Sequence, residues 1–368
     1  MIKMDAEFMR LALREARKGL GRTSPNPAVG AVIVRDGRVV AAGYHRRAGL
    51  PHAEVEALHR LDNRAPGDTL YVTFEPCNHS GKTPPCTNAI LKAGIKRVVI
   101  GSKDPNPHVK GGGCEFLKEN GVEVATGVLE AECSRINEAF SKFATSGRPF
   151  VIAKSAQTMD GWTATSTGHS KWITNARSRQ FVHRLRDRVD AVMVGVGTVL
   201  ADDPSLTTRL TRGRGRDPLR VIVDPYLKTP PNAKVLNHDS PADTLMVISE
   251  DAMPEDQKML QARGVSMLAC PVKSGRINLD ILMAKLGDMS ITSLLVEGGA
   301  SIMGSMLREG LVDKFFIFKA PRLLAGDDGI PMATGAGPKG MDGCLTLKEI
   351  RLRRFGDDIL IRGYPVYD

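Results

Sequence analysis

Four residues between positions 52 and 86 restrict this chain more than any other feature. His52-Ala53-Glu54 is followed by Pro76-Cys77 and by Pro84-Pro85-Cys86, with Asn78 to Pro85 lying between the two cysteines. One imidazole and two thiols are the donor set of a three-ligand zinc site, which keeps the fourth tetrahedral position open for water. Zinc lowers the pKa of that water from about 16 to roughly 7, so hydroxide forms at neutral pH. Glu54, two residues past the histidine, is near enough to carry protons without being a ligand. The plain alternative is two buried thiols and a surface imidazole. Four matched residue types, with proline beside both cysteines, weigh against it. Glu56 and His59 are the other donors nearby and fit the pattern less well.

Length and composition narrow the setting. A chain of 368 residues is long for one domain and comfortable for two. Residues 1–146 hold 21 Lys/Arg against 16 Asp/Glu, and the remainder 30 against 25, so each part carries five net positive charges and no basic block stands out. With aromatics at only 5%, a base-stacking platform for nucleic acid is not expected. An even basic excess suits small phosphorylated ligands better. The N-terminus reads as an amphipathic helix with acids in it rather than a signal peptide, and no apolar run reaches membrane-spanning length. Six cysteines, two of them assigned to metal, make no disulfide framework. Cys114, Cys133, Cys270 and Cys344 are expected as packing residues in a reducing cytoplasm.

Hydrophobic periodicity predicts a helix over 4–19, a hairpin of strands 28–34 and 39–44, and a helix over 52–61 that begins at the metal histidine. A strand over 69–74 delivers Cys77, and a helix over 86–93 starts at Cys86, where the helix dipole lowers a thiol pKa. A strand over 97–101, a helix within 111–121, a strand over 122–124 and a single helix over 130–145 complete an α/β/α domain. Asn26, His45 and Lys82 fall on loops near strand ends. Ser146-Gly147-Arg148-Pro149 reads as the linker, giving domains 1–146 and 147–368. Beyond it come strands at 150–155, 191–195, 219–223, 244–248 and 293–296 and a basic helix over 175–188. Gly195-Val196-Gly197 and Glu297-Gly298-Gly299 each sit between a strand and a helix, where backbone N–H groups can face a pyrophosphate.

H-x-E followed by P-C-x-x-C is the layout of zinc deaminases, and the departure here is eight residues rather than two between the cysteines. The departure belongs to one family. The chain resembles the bifunctional riboflavin-biosynthesis deaminase/reductases through Pro25-Asn26-Pro27-Ala28-Val29-Gly30, Gly43-Tyr44-His45, His52-Ala53-Glu54, Glu75-Pro76-Cys77 and Gly81-Lys82-Thr83-Pro84-Pro85-Cys86. The match continues through Asp104-Pro105-Asn106-Pro107, Met159-Asp160-Gly161, Trp172-Ile173-Thr174, Gly197-Thr198-Val199-Leu200-Ala201-Asp202-Asp203-Pro204 and Glu297-Gly298-Gly299.

The resemblance implies a cytidine-deaminase-like α/β/α domain followed by a dihydrofolate-reductase-like α/β domain. It implies one Zn2+ per chain on His52, Cys77 and Cys86, with Glu54 as proton carrier and Asn26, His45 and Lys82 binding a phosphorylated pyrimidine. For the second half it implies NADPH on Ala156, Trp172, Thr198, Asp202, Gly299, Ala300, Ser301 and Ser305. Substrate falls to Lys154, Ser170, Arg186, Leu206, Arg209 and Glu297, with Arg186 and Arg209 suited to phosphate. Lys154 and Asp202 are the candidates for protonating the opened ribose. The preference for NADPH over NADH comes from the resemblance, with no residue identified for it. No nucleic-acid or membrane partner is expected, and sheets of this kind are compatible with a homo-oligomer. Two alternatives stand beside this reading: a nucleic-acid deaminase, which predicts basic clusters and aromatics that the sequence lacks, and a deaminase with a nonenzymatic C-terminal module.

Overall fold

Alternation along the strands decides the layering of the N-terminal region. Helix α1 (Ile2–Ala16) covers one face of strands β1 (Gly30–Arg35), β2 (Arg38–Tyr44), β3 (Thr69–Phe74), β4 (Arg97–Ser102) and β5 (Glu123–Thr126). Val32, Val34, Tyr71 and Val99 point toward α1, packing on Met9, Ala12 and Leu13. Ala31, Ile33, Leu70, Val72, Val98 and Ile100 point the other way, onto helices α2 (Ala53–His59), α3 (Cys86–Ala93) and α4 (Gly113–Glu119). The strand order is β2-β1-β3-β4-β5, antiparallel through β1 and parallel from β3 to β5. This is the expected three-layer sandwich.

The computed structural model describes residues 2–79, 84–106, 112–213, 215–237, 239–252, 260 and 264–367. It divides into two units, Met1–Gly147 and Arg148–Asp368. Among the described residues no helix is long and apolar enough to cross a membrane.

One expected element is broken. The helix anticipated over 130–145 is two, α5 (Glu130–Ile136) and α6 (Glu138–Ser146), with Asn137 outside helical geometry between them. The cause is a long-range demand: buried Asn137 accepts from the Ala28 N–H through Oδ1 at 2.8 Å and donates from Nδ2 to the Ala28 carbonyl at 3.1 Å. These two bonds satisfy the backbone just after the Pro25-Asn26-Pro27 loop, so they hold the loop that carries Asn26. Of the cysteines expected to pack, Cys114, Cys133 and Cys270 are buried, whereas Cys344 is half exposed.

The second unit contains a nine-stranded sheet among its described residues. Its strands are β6 (Phe150–Gln157), β8 (Ala191–Gly195), β9 (Leu219–Val223), β10 (Thr244–Ser249), β11 (Ser266–Cys270), β14 (Ser293–Val296), β15 (Lys314–Lys319), β17 (Thr346–Phe355) and β18 (Asp358–Val366). The short strands β7 (Trp162–Ala164) and β16 (Ile330–Pro331) pair with each other, as do β12 (Val272–Lys273) and β13 (Arg276–Ile277). The large sheet runs β11-β10-β9-β8-β14-β6-β15-β18-β17, parallel from β11 to β15, with β18 antiparallel on both sides. Strands buried on both faces read as continuous apolar runs, and Ala191-Val192-Met193-Val194-Gly195 is one of these. Helices α7 (Ala176–Arg186) and α8 (Val196–Asp202) pack on one face, α9 (Leu279–Asp288) and α10 (Ala300–Arg308) on the other.

Replacing Asn137 by Ala would leave the Ala28 N–H and C=O buried without partners. We expect a loss of roughly 2–4 kcal/mol of stability, read from urea unfolding of the full chain followed by circular dichroism.

Candidate active sites

Three elements end at one point in the N-terminal unit. His52 is the N-cap of α2, Cys77 follows the C-terminal end of β3, and Cys86 is the first residue of α3 behind its N-cap Pro85. Helix α2 comes this close to β2 because position 43 is glycine: a Cβ there would sit 2.5 Å from Ala57 N and 2.6 Å from Ala53 O. His52 Nδ1 is 3.2 Å from Cys86 Sγ and 3.5 Å from Cys77 Sγ, and one donor atom from each residue falls within 4.8 Å of the others. The Cys86 N–H, at the start of α3, donates to Cys77 Sγ at 3.4 Å. Bonding from the Cys86 thiol, reinforced by His52 and opposed by burial, holds Cys77 well below the usual thiol range. Cys86, next to that charge and buried, is pushed up.

Glu54 is in the first turn of α2, buried beside these three. Its Oε2 has no hydrogen-bond partner among the described residues. Burial, and then the nearby Cys77, raise its carboxyl to about 7. A buried carboxylate oxygen without a partner is costly unless something else occupies its vicinity. Donors of this softness and number, with an orphaned carboxylate alongside, fit a zinc ion and a reacting molecule at its open position.

His45 and Asn26 lie beside the metal donors. The His45 ring meets that of His52 edge-on at 5.0 Å. Its Nδ1 is 3.1 Å from the Pro51 carbonyl, which can only accept, so Nδ1 carries the hydrogen. Burial lowers the pKa, which favours the neutral ring. Nε2 is then an acceptor, and Asn26 Nδ2 donates to it at 3.1 Å. The tautomer thus fixes which way the Asn26 amide faces. Lys82, the third expected contact, lies outside the described residues. Glu75, part of the recognised motif but given no role, clamps the neighbouring loops: it accepts from Cys114 N at 3.0 Å and Asp104 N at 3.2 Å.

In the C-terminal unit a cavity of about 790 Å³ opens at the C-terminal ends of the parallel strands and is lined by every residue expected for that half. Lys154 and Ala156 come from β6, Ser170 and Trp172 from the segment before α7, Arg186 from the end of α7, and Thr198 and Asp202 from α8. Leu206 and Arg209 come from the following loop, Glu297 from the end of β14, and Gly299, Ala300, Ser301 and Ser305 from the start and body of α10. Gly298 and Gly299 have φ of 134° and 85°, which favour glycine, and a Cβ at either would approach Thr198 Oγ1 within 3.4–3.5 Å. Backbone this bare at the start of a nine-residue helix fits a pyrophosphate, and so a nicotinamide dinucleotide.

Glu297 is the electrostatic centre of the cavity. Arg186 grips it with two bonds, Nε to Oε1 at 2.5 Å and Nη2 to Oε2 at 3.1 Å, and Lys154 Nζ lies 3.4 Å away. Burial alone would raise this carboxyl, but Arg186 and Lys154 outweigh it and hold the value at about 2. Arg186 also donates to the Thr207 carbonyl at 2.9 Å, so in this arrangement its guanidinium is shared between Glu297 and that loop. Arg209 differs. Among the described residues its guanidinium bonds only the hydroxyls of Ser205 and Thr207, at 2.7 and 3.0 Å, and pairs with no carboxylate. His183, which no sequence motif marks, accepts from the Arg209 N–H at 3.3 Å and steadies that loop.

Two family models match the chain. The family described as "RibD C-terminal domain" matches residues 149–361, and "Cytidine and deoxycytidylate deaminase zinc-binding region" matches residues 2–102. The riboflavin biosynthesis protein RibD of Aquifex aeolicus is 43% identical over 98% of both chains. The chain belongs to the RibD family. Solved structures agree: RibD of Acinetobacter baumannii superposes with a TM-score of 0.89 at 36% identity over 100% of both chains. A Thermotoga maritima protein named diaminohydroxyphosphoribosylaminopyrimidine deaminase/5-amino-6-(5-phosphoribosylamino)uracil reductase gives 0.84 at 37% identity over 99% of both. As a member of that family, the chain is a bifunctional riboflavin-biosynthesis enzyme, a cytidine-deaminase-like domain followed by a reductase domain.

The depressed pKa of Glu297 stabilises the folded reductase domain above the ordinary carboxylate range. That contribution is lost as pH falls from about 4.5 toward about 2. Glu297→Gln is therefore expected to cost on the order of 3 kcal/mol at pH 7 and progressively less across that window. Tryptophan fluorescence during denaturation reads this unit alone, because Trp162 and Trp172 are the chain's two tryptophans.

Proposed function

We propose that residues 1–146 deaminate 2,5-diamino-6-(5-phosphoribosylamino)pyrimidin-4-one, and that residues 147–368 reduce the ribosyl group of the product with NADPH, giving 5-amino-6-(5-phosphoribitylamino)uracil. The carrying observation is the convergence of His52, Cys77 and Cys86 beside the unpartnered Glu54 Oε2. The Thermotoga relative, named for both activities, supports the choice of substrate. Six free cysteines suit a reducing cytoplasm.

His52, Cys77 and Cys86 would hold one zinc ion per chain. Bound there, zinc supplies a water acidic enough to lose its proton near pH 7. Glu54 does the proton work: its carboxylate takes that proton and hands it to the departing exocyclic nitrogen, so water is consumed and ammonia leaves. A carboxyl raised toward neutrality by burial can do both. Asn26, its amide turned by neutral His45, keeps Oδ1 as an acceptor for a pyrimidine N–H. Lys82 is retained as a phosphate contact on resemblance alone.

In the second unit, Gly299, Ala300 and Ser301 would receive the pyrophosphate on backbone N–H groups, with Ala156, Trp172, Thr198, Asp202 and Ser305 along the rest of the cofactor. Bound there, NADPH supplies the hydride that reaches ribosyl C1′. Ring opening then needs a proton on the ribose oxygen. Lys154 Nζ, a cation held by Glu297, is the donor we favour over Asp202, whose Oδ1 already accepts from Ser170 at 3.2 Å. Ser170, Leu206, Arg186 and Glu297 shape the substrate side, and Arg209 takes the phosphate.

Metal analysis of the purified chain should return about one zinc per chain. Cys77→Ser should lose both metal and ammonia release, while oxidation of NADPH on pre-deaminated substrate continues. Glu54→Gln should keep the zinc and slow deamination by about 10²–10⁴-fold. A fully active, zinc-free protein would overturn the reading.

A further inference from the structure

The cavity of the C-terminal unit holds more cations than its carboxylates neutralise. Lys154 and Arg186 share Glu297, Lys171 is 3.7 Å from Asp202, and Lys234 is 3.1 Å from Asp203. Arg179 lies over the Trp172 ring at 4.4 Å and donates to the Thr174 carbonyl. Besides Arg179, whose guanidinium is taken up by the Trp172 ring and the Thr174 carbonyl, two lining cations have no carboxylate among the described residues, Arg209 and Arg276. Arg209 belongs to the loop beside Arg186 and Glu297, the substrate side. Arg276 is on the far side, against α10.

Local structure explains how Arg276 is aimed. Strands β12 and β13 form a hairpin whose two central residues, Ser274 and Gly275, have φ of 51° and 73°, the pattern of a type I′ turn. Arg276 is the first residue after that turn. Its Nη1 lies 3.5 Å from Ser305 Oγ, and Arg308 Nη2 lies 3.4 Å from the same oxygen. Arg308 is itself held by a bond from Nη1 to the Thr334 carbonyl at 2.9 Å. Two guanidinium groups meeting at one hydroxyl, with no carboxylate paired to either among the described residues, make a site for an anion. Ser305 is about 9 Å along α10 from Gly299, by helical rise, a span of the order of one nucleoside.

We propose that Arg276, with Ser305 and Arg308, recognises the 2′-phosphate that distinguishes NADPH from NADH. The inference rests on the reading of this unit as an NADPH-dependent reductase. The pyrophosphate is common to both nucleotides and has the first turn of α10; the substrate phosphate has Arg209. The remaining cationic site matches the remaining anion. Arg276 is a specificity-determining residue and has no part in hydride transfer.

The test is direct binding of NADPH and of NADH to the full chain by titration calorimetry, without pyrimidine substrate. Arg276→Gln should weaken NADPH roughly ten- to a hundredfold and change NADH by less than about twofold. Arg276→Lys should recover part of the loss, and Ser305→Ala should weaken NADPH in the same selective way. Equal weakening of both nucleotides by Arg276→Gln, or an unchanged NADPH-to-NADH ratio, would overturn the proposal while leaving the reductase reading intact. A wild-type chain that binds neither nucleotide, or both equally, would overturn the cofactor reading and this proposal with it. An unchanged melting temperature of the exposed-hairpin variant confirms that the comparison is between folded proteins.

Discussion

Two sulfurs and an imidazole nitrogen within 4.8 Å of one another impose the electrostatic constraint around which the N-terminal unit is arranged. Left to itself, such a set tolerates one negative charge. Cys77 is the most acidic of the thiols, supported by the Cys86 thiol and His52, while burial together with its charge raises Glu54, and its contact together with burial raises Cys86. A divalent cation removes the conflict, because a coordinating thiol ionises outright. The fold supplies the remaining help: two helix N-termini, each a partial positive charge, point at the same spot. Gly43 allows α2 to approach closely enough for this, and Asn137 holds the Asn26 loop across from it.

The C-terminal unit meets a similar problem with permanent partners. The Glu297 side chain is also buried, yet two of the chain's own cations neutralise it, so its charge is constant over the working pH range. Glu54 has no such partner and can exchange protons. Identical carboxyl chemistry therefore yields a proton carrier in one unit and a fixed anchor in the other, according to what stands within 4 Å. Both sites use parallel strands that stop together and a helix that starts just beyond, which is where open α/β sheets collect their ligands.

Much of this was readable from the residues. The metal donors and Glu54 were legible because their side chains are chemically distinctive and sit at element ends that proline and glycine mark. Five parallel strands of the large sheet, β6, β8, β9, β10 and β14, are legible as unbroken apolar runs. Long-range polar demands were not: the break at Asn137 answers to Ala28, 109 positions earlier, and nothing within the 130–145 window signals it. Strands β11, β15, β17 and β18 do not stand out in the sequence. β17 alternates Lys, Glu and Arg with apolar residues and is exposed along most of its length, which weakens the periodic signal of burial. Pairing choices were equally hidden. Arg186 and Arg209 look alike in sequence, and only the position of Glu297 separates the committed cation from the available one. Arg276 lay in a hairpin too short for pattern reading.

Strand β14 lies between β8 and β6, although it follows them by about a hundred residues or more: Leu294 pairs with Ala191 on one side and Val151 on the other. The middle of the large sheet is thus filled late, and its two flanking strands have no shared neighbour until residue 296 has left the ribosome. Distant pairings of this kind close slowly. The first unit needs nothing beyond Gly147 for its own sheet and helices. During synthesis the deaminase half can mature while its successor still waits, with apolar strands uncovered, for the piece that completes it.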